Sequence, residues 1–121
     1  MPKVIHFELP FDDAERANKF YADVFGWQSS QFGDQPYYLQ QTGGDDEPDG
    51  IGGALTARAD TYNNGGTLII IGVDDLDAYI QKVSDAGCEI VTPRTEIPGI
   101  GCFANFRDTE GNVVGMFMGD N

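Results

Sequence analysis

The sequence predicts an α+β fold in which two βαβββ modules form a curved mixed sheet around a cleft. A strand followed by paired aspartates, an amphipathic helix and a glycine occurs twice, as FELPFDDAERANKFYADVFG and as IIIGVDDLDAYIQKVSDAG. Phe11-Asp12-Asp13 and Val73-Asp74-Asp75 stand 62 residues apart, half of the 121-residue chain, which is the signature of an internal repeat. Each copy is trailed by three short β-prone segments. At this length the chain forms one domain, residues 1–121, with repeats of about 1–60 and 61–121. A half with one helix cannot cover both faces of its sheet. The two halves are therefore expected to join and leave a helix-free face as the cleft.

Each element follows from local pattern. Lys3 to Leu9 alternates, with Ile5, Phe7 and Leu9 on one face and Val4, His6 and Glu8 on the other, as a half-buried strand requires. From Asp13 to Phe25 the period lengthens: Ala14, Ala17, Phe20 or Tyr21, and Val24 recur at helical steps. Asp12 with Glu15 makes a capping-box-like start and Gly26 the stop. Extended segments follow near Trp27 to Phe32, Tyr37 to Thr42 and Gly52 to Ala57, divided by GDQP and by the acidic loop from Gly43 to Gly50. Thr67 to Val73 opens the second half. Asp74 and Asp75 cap a helix whose buried stripe is Leu76, Tyr79 or Ile80, and Val83, and Ala86-Gly87 closes it. Strands near Glu89 to Thr92, Cys102 to Phe106 and Asn112 to Phe117 complete the chain, with DTEGN as the last turn.

Twenty acidic residues face seven basic ones, a formal charge of −13. Such a surface repels phosphate backbones and anionic membranes, so no nucleic-acid or membrane partner is expected. Fourteen Asp against three Lys suits a high-salt cytoplasm, where screening relieves self-repulsion; an acidic protein of ordinary salt is the competing reading. The opening MPKVIHFELPFDDAE lacks a secretory pattern, and the apolar run Leu68 to Val73 falls far short of the roughly 20 residues that cross a bilayer. Cytoplasmic placement is the expectation. Cys88 and Cys102 lack metal-ligand spacing and read as free thiols, with a single disulfide between them left open.

No G-x-S-x-G elbow, H-E-x-x-H helix or phosphate loop occurs. His6 and Glu8 share a strand face, so Glu8 is a candidate to take a proton from an acidic C–H or to hold an amine, with His6 as partner acid or base. The same placement also suits a hydrogen-bonded rim pair. Alternation nominates Trp27, Tyr38, Gln40, Phe103, Asn105 and Phe117 as cleft walls, aromatic surface for contact and amides for orientation. Asp45, Asp46, Glu47 and Asp49 carry carboxylates that hard cations favour, but they lack the EF-hand order and read as a solvated loop.

The segments DDAERANKFYADVFGW, DDLDAYIQKVSDAG and FRDTEGNVVGMF make the chain resemble the vicinal oxygen chelate superfamily of glyoxalases, extradiol dioxygenases and antibiotic-binding resistance proteins. The resemblance covers nearly the whole chain. It implies two βαβββ modules around a cleft, a small-molecule ligand, a homodimer and, in the metalloenzyme members, a divalent ion held from both modules. Carried over, the first-strand ligand position is His6. The fifth-strand position falls on Leu68 and the last-strand position on Gly115, while the fourth strand, within GIGGALT, offers no donor. A Zn²⁺, Ni²⁺ or Fe²⁺ site needs several converging donors, and the chain has one histidine. The expectation is a small-molecule-binding protein without the family metal and without a cofactor. A metal-dependent lyase or dioxygenase and a non-catalytic dimeric interaction module are the alternatives.

Overall fold

Lys3–Phe11 (β1) lies at the middle of an eight-stranded mixed sheet in the computed structural model, which describes residues 2–43, 50–59 and 66–120. The other elements are α1 (Ala14–Phe25), β2 (Gln28–Gln31), β3 (Tyr37–Gln41), β4 (Gly52–Ala57), β5 (Leu68–Gly72), α2 (Leu76–Asp85), β6 (Glu89–Ile97), β7 (Gly101–Arg107) and β8 (Val113–Gly119). Across the sheet the order is β2-β3-β4-β1-β5-β8-β7-β6. Both halves thus read the same way outward from the centre. β1 and β5 pair antiparallel at the join, and each has the last strand of its own half parallel on its other side, β4 beside β1 and β8 beside β5.

β1 runs through Pro10 to Phe11, further than its alternation predicts. Proline is tolerated because pairing with β5 ends at Glu8 while pairing with β4 continues to Phe11, so the missing N–H falls where the strand has one neighbour. Between Val4 and His6 the register against β5 slips by one residue, leaving Ile5 as a bulge.

The helix caps refine the expectation. Asp13, not Asp12, is the N-cap of α1 and accepts from the Arg16 N–H at 3.0 Å; Asp12 pairs with Arg58 at 2.9 Å instead. Gly26 closes the helix in the left-handed region, φ 73°, which a glycine enters without steric cost. In α2, Asp75 caps by accepting from Ala78 N–H at 3.1 Å. This helix buries Leu76 against Cys102, Ala104 and Met116, with Tyr79, Ile80 and Val83 packed alongside, as its stripe predicts. α1 buries no residue fully. Tyr21 is its half-buried aromatic, whereas Phe20 and Val24 of the expected stripe are 51% and 58% exposed.

Cys88 and Cys102 are both free, which settles the open pairing, and burial pushes the Cys102 thiol up. The Asp45, Asp46, Glu47 and Asp49 loop lies outside the described residues. Among the described residues, no helix is long and apolar enough to cross a membrane.

Candidate functional site

The sheet face away from the helices encloses a cavity of about 550 Å³. Its floor is a cross-strand row, His6 on β1, Ile70 on β5, Gly115 on β8 and Asn105 on β7, so both halves build it. Phe103 and Phe117 extend the wall from one half, Tyr37 and Leu39 from the other. The turn after β2 adds Phe32 and Gln35, and the β6–β7 hairpin adds Ile97 and Ile100. The bulge brings Ile5 to the wall beside His6. Gly115 supplies bare backbone where a Cβ would come within 3.0 Å of both Asn105 Oδ1 and Ile70 Cγ1. The buried Asn105 amide occupies that space and donates to Thr92 Oγ1 at 3.4 Å.

In this largely apolar wall three polar groups form a chain. The Tyr37 hydroxyl donates to Glu8 Oε2 at 2.6 Å, a length typical of an O–H donor on a carboxylate. Its oxygen lies 2.8 Å from His6 Nε2. Because the phenolic proton is directed to Glu8, the imidazole must supply the proton of the second bond, which fixes His6 as the Nε2–H tautomer. Burial holds the His6 pKa below its ordinary 6.5, so the ring is neutral at pH 7 and still able to donate. The His6 and Tyr37 rings stack with planes 14° apart. Glu8 is only 4% exposed. Such a relay can fix the orientation of a polar ligand group or pass a proton along it.

Of the residues nominated from sequence, His6, Glu8, Phe103, Asn105, Gly115 and Phe117 line this cavity. Leu68 stands opposite Glu8 but is fully buried and outside the lining; Ile70, two residues on, takes its place. Trp27, Tyr38 and Gln40, expected as cleft walls, do not line the cavity. Trp27 stacks on Tyr21 of α1 at 4.6 Å and meets Phe7, on the helix side of the sheet. Tyr38 packs edge-on against Phe11 at 5.8 Å. Gln40 donates to Asn18 of α1 and to Ser29, and borders only a second, shallower depression over β2–β4. β3 faces the opposite way from that expectation, so Tyr37 and Leu39 hold the cavity positions. Contacts decide this: Gln40 reaches Asn18 of α1, and Tyr38, two residues before it on the same face, packs on Phe11.

A family model described as the Glyoxalase/Bleomycin resistance protein/Dioxygenase superfamily matches residues 3–116. The chain belongs to that superfamily. A glyoxylase-like domain-containing protein from Didymella fabae is 36% identical over 112 residues, 88% of this chain and 85% of that protein. The glyoxylase-related CFP32 of Mycobacterium bovis is 27% identical, and the match takes in 92% of this chain but 43% of that longer protein. Among solved structures, methylmalonyl-CoA epimerase from Mycobacterium tuberculosis superposes with a TM-score of 0.71 at 15% identity, covering 98% of this chain and 88% of the epimerase. A superfamily member from Vibrio splendidus 12B01 gives 0.70 at 17% identity, covering 99% and 100%. These likenesses establish the glyoxalase-like fold.

The donor set does not fit the divalent ion that metalloenzyme members of the glyoxalase superfamily hold. Of the carried-over positions His6 alone offers a donor, and its Nε2 is engaged with Tyr37. Leu68 is apolar, Gly115 has no side chain, and β4 presents Gly52, Gly53, Ala54 and Leu55. Gly53 is bare for a packing reason: the Phe7 ring lies across it, and a Cβ there would come within 2.6 Å of three ring atoms. Among the described residues no three His, Cys, Asp or Glu side chains cluster as metal ligands.

Proposed function

We propose that this glyoxalase-superfamily protein binds a small organic molecule in the cavity between its two halves, with the apolar wall holding the body of the ligand and the Glu8–Tyr37–His6 chain orienting its polar end. The observation that carries the reading is the presence of a buried carboxylate, already hydrogen-bonded to a phenol and through it to a neutral imidazole, in the lining of a largely apolar cavity of about 550 Å³. That volume lies in the range of small-molecule sites, which combine apolar walls with a few placed polar groups. A tight divalent metal is no part of this reading. The same trio is where a proton would move if the ligand carries an acidic C–H, Glu8 taking it and Tyr37 and His6 adjusting the relay.

Native mass spectrometry of the protein as purified, together with a thermal-shift panel of small carbonyl, amine and aromatic compounds, tests the reading. A retained or acquired ligand of matching mass is expected. A panel compound recovered changed marks an enzyme, and one recovered intact marks a binder. A protein that neither retains nor acquires any ligand contradicts the reading.

A homodimer is part of the proposal. Phe20, Val24 and Phe25 leave an apolar strip on α1, Phe25 being 60% exposed, and covering it would remove apolar area from water. The acidic composition fits work in a salty cytoplasm.

A further inference from the structure

The charge inventory of the cavity narrows what it can take. Seven lysines and arginines occur in the chain, all within the described residues, and none lines the cavity. Those with named partners are spent on the outer surface: Lys19 on Asp23, Arg58 on Asp12, Arg94 on Asp77 and Glu96, and Arg107 on Glu89. The one histidine, His6, does line the cavity and is held neutral by burial. Among the described lining residues, then, Glu8 is the one acidic side chain, its Oε2 accepting from the Tyr37 hydroxyl at 2.6 Å, and four aromatic rings, Phe32, Tyr37, Phe103 and Phe117, stand around the same space.

We infer that the ligand is an amine, protonated at neutral pH, on an apolar or aromatic body small enough for about 550 Å³. This deepens the small-molecule reading and rests on it. An ammonium entering the cavity gains the Glu8 carboxylate in a setting of low dielectric and can lie against ring faces, whose quadrupole attracts cations. A carboxylate or phosphate meets the reverse: it gives up hydration, finds no cationic side chain and faces a like charge. The methylmalonyl-CoA named for one epimerase neighbour ends its acyl group in a free carboxylate, the class this cavity disfavours.

The test uses three probes of one shape, diphenylpropylamine, diphenylpropanol and diphenylpropionate, titrated into the full chain at molar salt, where attraction of cations to the acidic exterior is screened. The amine is expected to bind at least about ten-fold tighter than the alcohol, one charge-assisted hydrogen bond's worth of discrimination, with the acid weakest. Methyl resonances of Ile5 and Ile70 should move, placing the amine inside. Glu8→Gln should bring amine and alcohol to within about three-fold of one another, since the amide keeps the shape and removes the charge. If that variant does not fold, the wild-type ratio decides alone. An acid that binds as well as the amine, or an amine whose shifts fall outside the cavity, overturns the inference while leaving the small-molecule reading to the panel above. If no probe and no panel compound binds, both fall.

Discussion

Replacing Tyr37 by phenylalanine removes one oxygen from a buried chain and leaves the ring in place. The loss comprises the 2.6 Å bond donated to Glu8 and the 2.8 Å bond accepted from His6. A hydrogen bond to a charged group is worth about 1.5–3 kcal/mol and a neutral one about 0.5–1.5 kcal/mol. Against this, the cavity is roomy enough for water to reach the exposed oxygen and nitrogen, which returns part of the loss. The net expectation is about 2–3 kcal/mol of destabilisation, carried mainly by the Glu8 side. Urea unfolding at fixed molar salt, followed by Trp27 fluorescence, measures it, and a double-mutant cycle with Glu8→Gln should return a coupling above about 1 kcal/mol. A loss below about 0.5 kcal/mol, or additive single effects, would refute the view that the three groups act as one unit.

Gly53→Ala should destabilise by about 1–3 kcal/mol, because the new methyl collides with the Phe7 ring at 2.6 Å; denaturant midpoints check it, and adding Phe7→Leu should recover part of the loss. Stability should fall as pH drops below 6.5 toward the lowered native pKa of His6, since the unfolded chain there binds a proton that the folded chain does not. His6→Gln should flatten that slope, and an unchanged slope between about pH 7.5 and about pH 5.5 would count against a neutral buried imidazole. Light scattering at molar salt should give twice the chain mass, and charge placed at the exposed Phe20 and Phe25 by substitution with glutamate should give the monomer; a wild-type monomer at micromolar concentration contradicts the dimer. Calorimetric titration of chelator-treated protein with Zn²⁺, Ni²⁺ and Mn²⁺ should find no submicromolar site, and one equivalent bound tightly and lost in His6→Ala would reinstate the metal.

The helices, the strand count and the face shared by His6 and Glu8 were legible because each depends on residues close in sequence. Helical period and paired aspartates located α1 and α2, although which aspartate caps α1 turned on Arg58, a residue 46 positions from Asp12. Tyr37 was not legible as a site residue. Tyr37 and Tyr38 are adjacent aromatics, and alternation says only that they face opposite ways; the register that puts Tyr38 over Leu55 is a long-range fact. Knowing that Leu55 belongs to the core, in the apolar half of GIGGALT, would have been the one available signal. Trp27 was misplaced for a related reason: it lies just before β2 begins, so strand alternation does not govern it, and its stacking on Tyr21 draws it to the helix side. The bulge at Ile5 leaves no mark in the sequence, and it is what brings an apolar side chain beside His6.

The most direct test of a metal-free ligand cavity between the halves is methyl NMR on chelator-treated protein as a binding compound is added. Methyls of Ile5, Ile70, Ile97 and Ile100, which line the cavity, should shift with saturation, while those of Ile51 and Ile69, exposed elsewhere, should hold still. Shifts confined to the outer methyls, or appearing only after a divalent ion is restored, would contradict the account.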